Sequence, residues 1–435
     1  MSLVSESDTK LGEWAHSLAQ ELWPLPRSLT GQGVRETLDI LSREMPALSR
    51  QSVPTGYRAF DWEVPREWNL NRAWIETPDG RVICDTDVHN LHVVGYSTPG
   101  EWHVTLDEMK EHLYTEPGLP GAIPYVTSYY ADRWGFCLPE RELRSLPEGT
   151  YHAVVDATLE AGQLDYADIV LPGESDREIL FSTYVCHPSM ANNELSGIVV
   201  AMALSRIVAA MPCRHYTYRF VFVPETIGTL VYLSSRLRHL RDNMDAGYIL
   251  TCVGDEGPFS YLSSRQEETF ADRLAMRTLQ AAEVPYRRYT YLDRGSDERQ
   301  YCAPGIELPV CSIMKSKYGT FPEYHTSLDD LNFVTALGLS ESISIYRRLI
   351  EDLETTPRPR TLTFGEPQLG RRGLYSTLSR KGSADDAMLV RNVLAYSDGQ
   401  WDLEELSAKI GVPEAQIRDT VALLHEHGLV SLQTP

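Results

Sequence analysis

The 435-residue chain has no apolar run long enough to cross a bilayer; its longer ones, such as Ile198 to Leu204, fall well short of the ~20 residues a membrane helix needs. A role inside the membrane is therefore not expected. A cysteine framework is missing too. The seven cysteines (Cys84, Cys137, Cys186, Cys213, Cys252, Cys302, Cys311) are odd in number and widely spaced, with no C-x-x-C pair. Neither a disulfide scaffold nor a thiolate zinc knuckle follows, and the thiols are expected to be reduced and buried. Basic residues are scarce: 40 Lys and Arg against 61 Asp and Glu leave a formal charge of −21. Such a chain repels phosphate backbones, so nucleic acid is not expected as the main partner, whereas small or cationic substrates are easier to accommodate, and a small-molecule or peptide-like substrate is the expectation. The N-terminal segment Met1 to Lys10 lacks the basic and apolar regions of a secretory signal, and a cytoplasmic location is the expectation. Self-association is left open.

What is present is the composition of an ordinary globular protein, 42% hydrophobic and 23% charged. The length exceeds one hydrophobic core, which points to a large domain of roughly 250 residues with smaller companions. Residues 9–47 read as two helices, Lys10 to Leu22 and Val34 to Met45, joined by a breaker-rich loop. In that loop Arg27 and Ser28 either face a substrate or belong to a capping turn. From Gln51 to about Ser128 the texture becomes short β-like runs between Pro-Asp-Gly and Pro-Gly turns, a small β-rich insert carrying Trp62, Trp68, Trp74 and Trp102. Those rings are read as core filling, and His89 and His92 as structural.

Between Tyr151 and Val310 strands and helices alternate, beginning with His152 to Leu159. The runs Ile179 to Val185 and Tyr218 to Val223 are apolar enough to be central strands covered on both faces. An α/β domain with a mixed, mostly parallel sheet flanked by helices is expected over 1–50 and 129–354, with the insert at 51–128. Residues 355–386 read as a linker. Residues 387–435 carry three short helices and a terminal strand, the pattern of a winged helix. Its third helix holds Glu414, Arg418, Asp419 and Glu426, a face suited to packing or protein contact rather than DNA reading.

Ligands of an open α/β sheet gather at the carboxyl ends of its strands, and polar residues cluster there. His187, Asn193 and Glu194 follow one predicted strand, Glu225 the next, Asp255 and Glu256 a third, and His325 lies in a later loop. Imidazole and carboxylate are the donors of catalytic zinc, and a carboxylate not tied to metal can take a proton from water. A single histidine after a strand is more often structural; several metal-competent residues at separate strand ends form a recurring plan of metallohydrolases.

The order His187, Asn193-Glu194-Leu195-Ser196-Gly197, Pro224-Glu225-Thr226, Thr251 to Asp255, Ser296-Asp297-Glu298 and Tyr324-His325 resembles the zinc aminopeptidase family, which is distantly related to the glutaminyl cyclases. More closely, Asn90 to Ser97, Trp134-Gly135-Phe136-Cys137 and Arg294 to Tyr301 resemble an aminopeptidase-like family found beside polysaccharide-biosynthesis and natural-product genes, which has a small β insert and a C-terminal winged helix. The resemblance implies a zinc-dependent hydrolase of an amide bond in a small aminoacyl or amino-sugar compound, with acyl transfer or cyclisation, or a non-catalytic scaffold, as alternatives. It places Asn193, Thr226 and Thr251 where dizinc members have carboxylate ligands, with the nearby carboxylate displaced by one residue to Glu194. At most one zinc is then implied, held among His187, Glu194 and His325, with Glu225 at the position of the general base. Asp297, Arg294 and Asp255 are the substrate-binding candidates: Asp297 for an amine, Arg294 or Arg299 for a carboxylate, with an internal salt-bridge cluster as the alternative. Asp329 and Asp330 either orient His325 or cap a helix.

Overall fold

A computed structural model describes residues 3–374 and 383–433. Two compact units are present, one formed by most of the chain up to Arg347 and one dominated by residues 348–435. In the first, the helix Glu6–Leu22 begins at a capping box in which the Ser5 hydroxyl and Asp8 carboxylate satisfy each other's backbone donors, and the helix Gln32–Glu44 follows.

The main sheet has eight strands: β1 Leu48–Pro54, β2 Gln163–Leu171, β3 Glu178–Tyr184, β4 Thr217–Val223, β5 Met244–Ile249, β6 Phe259–Leu262, β7 Tyr286–Tyr289 and β8 Val310–Met314. Their spatial order is β1-β2-β4-β3-β5-β8-β6-β7. The centre, β4-β3-β5-β8, is parallel, while β1 and β2 on one side and β6 against β8 on the other are antiparallel. All seven residues of β3 and of β4 are buried, as their unbroken apolar runs require. Two charges inside these strands are tolerated because they answer each other. Arg219 grips both oxygens of Glu178 at 2.8 Å and reaches Asp168 at 3.1 Å.

A second, four-stranded antiparallel sheet orders Val82–Ile83, Glu67–Glu76, Thr150–Glu160 and Gly100–Thr105. This corrects two expected boundaries. The run His152 to Leu159 belongs to the small sheet rather than to the α/β alternation, and Gln51 to Pro54 belong to the large sheet through β1. The burial of Thr150–Glu160 alternates residue by residue, the mark of a strand with one wet face, which distinguishes it from β3 and β4. The insert's rings also divide. Trp68 is in the core, whereas Trp62 is 40% exposed.

In the second unit the helices Ser383–Tyr396, Leu403–Ile410 and Glu414–Glu426 enclose a core that includes Val393, Leu406, Ile417 and Leu424. The strand Arg358–Thr361 pairs antiparallel with Val430–Gln433. Part of the expected linker is thus a strand of the winged helix: Pro359 needs no ladder donor in a two-stranded ribbon, so its Pro-Arg-Pro signal misleads. The later part of that linker, residues 375–382, lies outside the described residues. No helix among the described residues is long and apolar enough to cross a membrane.

Candidate active site

The segment after β3 turns sharply. Ser189 takes a positive φ of 46°, and Ala191–Leu195 form a wide, π-type turn leading into the helix Ser196–Ala209. Asp329 holds this turn by accepting from the backbone N–H of Asn192 at 2.6 Å and Asn193 at 2.9 Å. It makes no hydrogen bond to His325, so its role is that of a cap. Gly197 admits the close approach of the Leu250 carbonyl, which a Cβ would meet at 2.1 Å.

Glu194 faces away from any open space. Its Oε1 accepts from Arg27 Nε at 2.8 Å, and its Oε2 accepts from the Cys186 backbone at 2.7 Å, from the His187 backbone, and from His187 Nδ1 at 3.0 Å. Both side chains of the Arg27–Glu194 pair are wholly buried. Arg27 also donates to the Leu22 and His187 carbonyls, at 2.6 and 3.2 Å. Arg27 is therefore buried away from a substrate: it caps the end of the helix Glu6–Leu22 through the Leu22 carbonyl and pairs its charge with Glu194. Both oxygens are engaged by these donors, so Glu194 braces His187 through Nδ1, and with Cys186 and His187 it also forms a cluster whose ligand atoms lie within 4.8 Å of one another.

The other imidazole edge of His187 opens onto a cavity of about 380 Å³, within the size range of small-ligand sites. Its wall includes Glu225, Thr226, Arg299 and His325 together with Leu29, Trp62, Tyr125, Tyr129, Tyr130 and Ile227. Glu225 Oε2 lies 3.8 Å from His187 Nε2. His325, itself at a positive φ of 57°, is 5.7 Å from His187 between ring centroids. Tyr125 packs against both imidazoles, at 5.1 and 5.2 Å, and Tyr324 stacks on His325 at 3.9 Å. Tyr125 arrives because its backbone N–H donates to the His325 carbonyl at 2.8 Å, which ties the end of the insert to the histidine loop. An aromatic-rich run at the insert's end was the only sequence signal for it.

Glu225 is delivered by a strained turn. Thr226 has φ 64° and ψ −76°, and Ile227 N–H donates back to the Glu225 carbonyl at 2.8 Å, a γ-turn of the rare positive-φ kind. Asp297 supports it from behind, accepting from Thr226 N–H at 2.8 Å, while its Oδ2 has no hydrogen-bond partner. Asp297 is buried beneath the cavity wall and is not a lining residue.

The three neutral groups that the resemblance sets at carboxylate positions are all hydrogen-bonded. Asn193 Oδ1 accepts from the Tyr184 hydroxyl at 3.1 Å and its amide donates to His325 Nε2 at 3.2 Å. Thr251 Oγ1 donates to the Asn193 carbonyl at 2.9 Å, and Thr226 Oγ1 accepts from Arg299. Two of the expected substrate-binding residues are elsewhere. Asp255 is buried and fully engaged with Asn192, Gly257 and Ser316, and exposed Arg294 lies over the Tyr291 ring at 4.6 Å. His92 is structural, its Nδ1 2.8 Å from the Cys137 carbonyl.

Burial shapes the proton affinities. It raises the Glu225 carboxyl, with the His187 and Arg299 charges opposing, and it raises Asp297 to about 7 with the Glu225 charge adding to the effect. Burial and the neighbouring His187 bring His325 down to about 3, leaving a neutral imidazole. For His187 burial alone works downward, but the bond to Glu194 and the Glu225 charge carry it above its usual value.

Comparison with known proteins agrees with this layout. Residues 16–356 match the model of a domain family of unknown function, DUF4910, and residues 358–432 match a winged helix-turn-helix model. The chain belongs to the DUF4910 family. It is 37% identical over 431 residues to a Clostridium acetobutylicum protein described as a candidate polysaccharide biosynthesis protein with an aminopeptidase-like domain, covering 98% of both. A crystal structure of a candidate peptidase from Clostridium acetobutylicum superposes with a TM-score of 0.81 at 37% identity, again over 98% of each chain. A zinc aminopeptidase from Bacillus subtilis superposes with a TM-score of 0.58 at 10% identity, covering 79% of this chain and 95% of that one. The DUF4910 domain of this protein therefore has the zinc aminopeptidase fold.

Proposed function

We propose that this DUF4910 protein is a metal-dependent hydrolase of an amide bond in a small aminoacyl or amino-sugar compound. The convergence of His187, Glu225 and His325 on one aromatic-walled cavity at the strand ends carries this reading. The donor chemistry fits one zinc ion and not two. His187 Nε2 faces the cavity and His325 would give up its bond from the Asn193 amide to bind the same ion, while Asn193, Thr226 and Thr251 offer only neutral oxygens for a second. His187 and His325 would hold the ion, which when bound supplies Lewis-acid polarisation of the amide carbonyl and an acidified water.

The chain's own residues supply the rest. Glu194 fixes the tautomer and direction of His187 through Nδ1, as carboxylates do behind ligating histidines, and Arg27 holds the other oxygen of Glu194 in place. Glu225, 3.8 Å from His187 Nε2 and free of any side-chain hydrogen bond, takes the proton of the attacking water and returns it to the leaving nitrogen. Asp297 holds the Thr226 backbone and with it the strained turn that aims Glu225. The aromatic walls limit water around the reacting groups.

Hydrolysis of a panel of aminoacyl amides and N-acylated amino sugars by the zinc-loaded full chain, run in ¹⁸O-labelled water, tests the reading. One labelled oxygen in the released carboxylate and a collapse of turnover in Glu225→Gln are expected. Unlabelled product would assign acyl transfer or cyclisation instead. Absence of turnover across the panel, or an unchanged rate in Glu225→Gln, would sink the proposal.

A further inference from the structure

The cavity contains a cation that no carboxylate of the described residues grips directly, although the Glu225 carboxylate shares its wall. Arg299 Nη2 donates to Thr226 Oγ1 and its Nε to the Ser296 carbonyl, both at 2.9 Å and both neutral acceptors. Among the described residues no carboxylate forms an ion pair with Arg299, and its Nη1 has no protein hydrogen-bond partner. The adjacent acid is turned away. Glu298 Oε1 accepts from the Gly295 and Ser296 backbone at 2.7 and 3.0 Å and from the Tyr318 hydroxyl at 2.7 Å. Three other arginines of this unit, Arg27, Arg35 and Arg219, each bind a carboxylate.

A half-buried guanidinium pinned by neutral groups loses hydration without regaining a charge partner, so a ligand anion stabilises it more than it would an exposed arginine. The remaining wall suits an apolar body. Trp62 and Tyr130 are 40% and 60% exposed and meet edge to face at 5.9 Å between centroids. A carboxylate matches a guanidinium edge with one charge and two coplanar oxygens. Among the described residues Arg299 is the only arginine or lysine in the cavity wall, and the Glu225 carboxylate shares that wall, so a singly charged carboxylate suits the site better than a phosphate dianion.

We propose that Arg299 receives a carboxylate of the substrate, so that the amide belongs to an acylated amino acid or short peptide with a free carboxylate and an apolar side chain resting on Trp62 and Tyr130. This rests on reading the cavity as the substrate site of the proposed hydrolase, but binding alone tests it. Calorimetric titration of the full chain with N-acetyl-L-phenylalanine, its carboxamide and phenyl phosphate provides the comparison. The free acid is expected to bind at least about tenfold more tightly than the carboxamide, the size of one charge-assisted hydrogen bond. Arg299→Gln should bring the acid to the level of the carboxamide while leaving the carboxamide unchanged, and Arg299→Lys should recover part of the preference. Equal binding of acid and carboxamide by the unmodified protein overturns the proposal, as does an Arg299→Gln variant that weakens both alike. Tighter binding of phenyl phosphate than of the acid overturns the carboxylate assignment. A preference for the acid without hydrolysis of any amide leaves this assignment standing and removes the hydrolase reading; hydrolysis without that preference does the reverse.

Discussion

Two carboxylates flank His187, and they differ in how many donors the fold sets against them. On the Nδ1 side, Glu194 meets a guanidinium, two backbone N–H groups and the imidazole, and has no exposure. On the Nε2 side, Glu225 stands 3.8 Å from the ring and looks into a cavity. The same chemical group is a fixed brace in one place and a reactive group in the other. What decides is the supply of hydrogen-bond donors rather than residue type or nearness to the histidine.

Breaking the saturated side should have the largest effect. Arg27→Ala strands a buried carboxylate, and a loss of about 3–5 kcal/mol of stability is expected, readable as a lowered urea midpoint. Arg27→Met combined with Glu194→Leu removes both charges but leaves the Cys186 and His187 donors without an acceptor, so it should recover only part of the lost stability. The double variant should still bind metal about 10- to 100-fold more weakly, since nothing then orients His187. Recovery of full metal affinity together with stability would show that Glu194 has no positioning role.

Glu67 extends the comparison to a saturated carboxylate remote from the cavity. It accepts from Arg35, Asn69 and the Gln163 backbone at 2.6, 2.9 and 2.8 Å. Although burial works upward, these partners bring its carboxyl down to about 2. A depressed folded-state value means that the stabilisation is present above the unfolded value near 4.5 and is lost as pH falls from there towards 2. Acid unfolding of Glu67→Gln should accordingly show a flatter stability profile across that window than the parent protein. The smallest effect is expected at the open rim: Trp62→Ala should change stability by no more than about 0.5 kcal/mol, measured by thermal melting, as for an exposed side chain.

The same contrast separates what was legible in the sequence from what was not. The runs through β3 and β4 announced central strands because both faces are covered, and the polar residues after them marked the cavity end of the sheet. His187, Glu225 and His325 do come together. The resemblance set Glu194 among the ligands; what the sequence does not show is its partner Arg27, which lies 167 residues away. Asp255 was misread for the same reason, its partners Asn192 and Ser316 each lying more than 60 residues off. The strand Thr150–Glu160 was assigned by its place in an alternating series, although its half-buried pattern belongs to a sheet with one wet face. Sequence order locates the donors; only the fold counts them.

The most direct test of the division between the two sides of His187 is the zinc stoichiometry of the full chain, measured by elemental analysis after saturation and removal of free metal. One ion per chain is predicted, retained in Glu225→Gln and lost in His187→Ala and in His325→Ala. Two ions per chain, or one ion that survives loss of either histidine, would contradict the account.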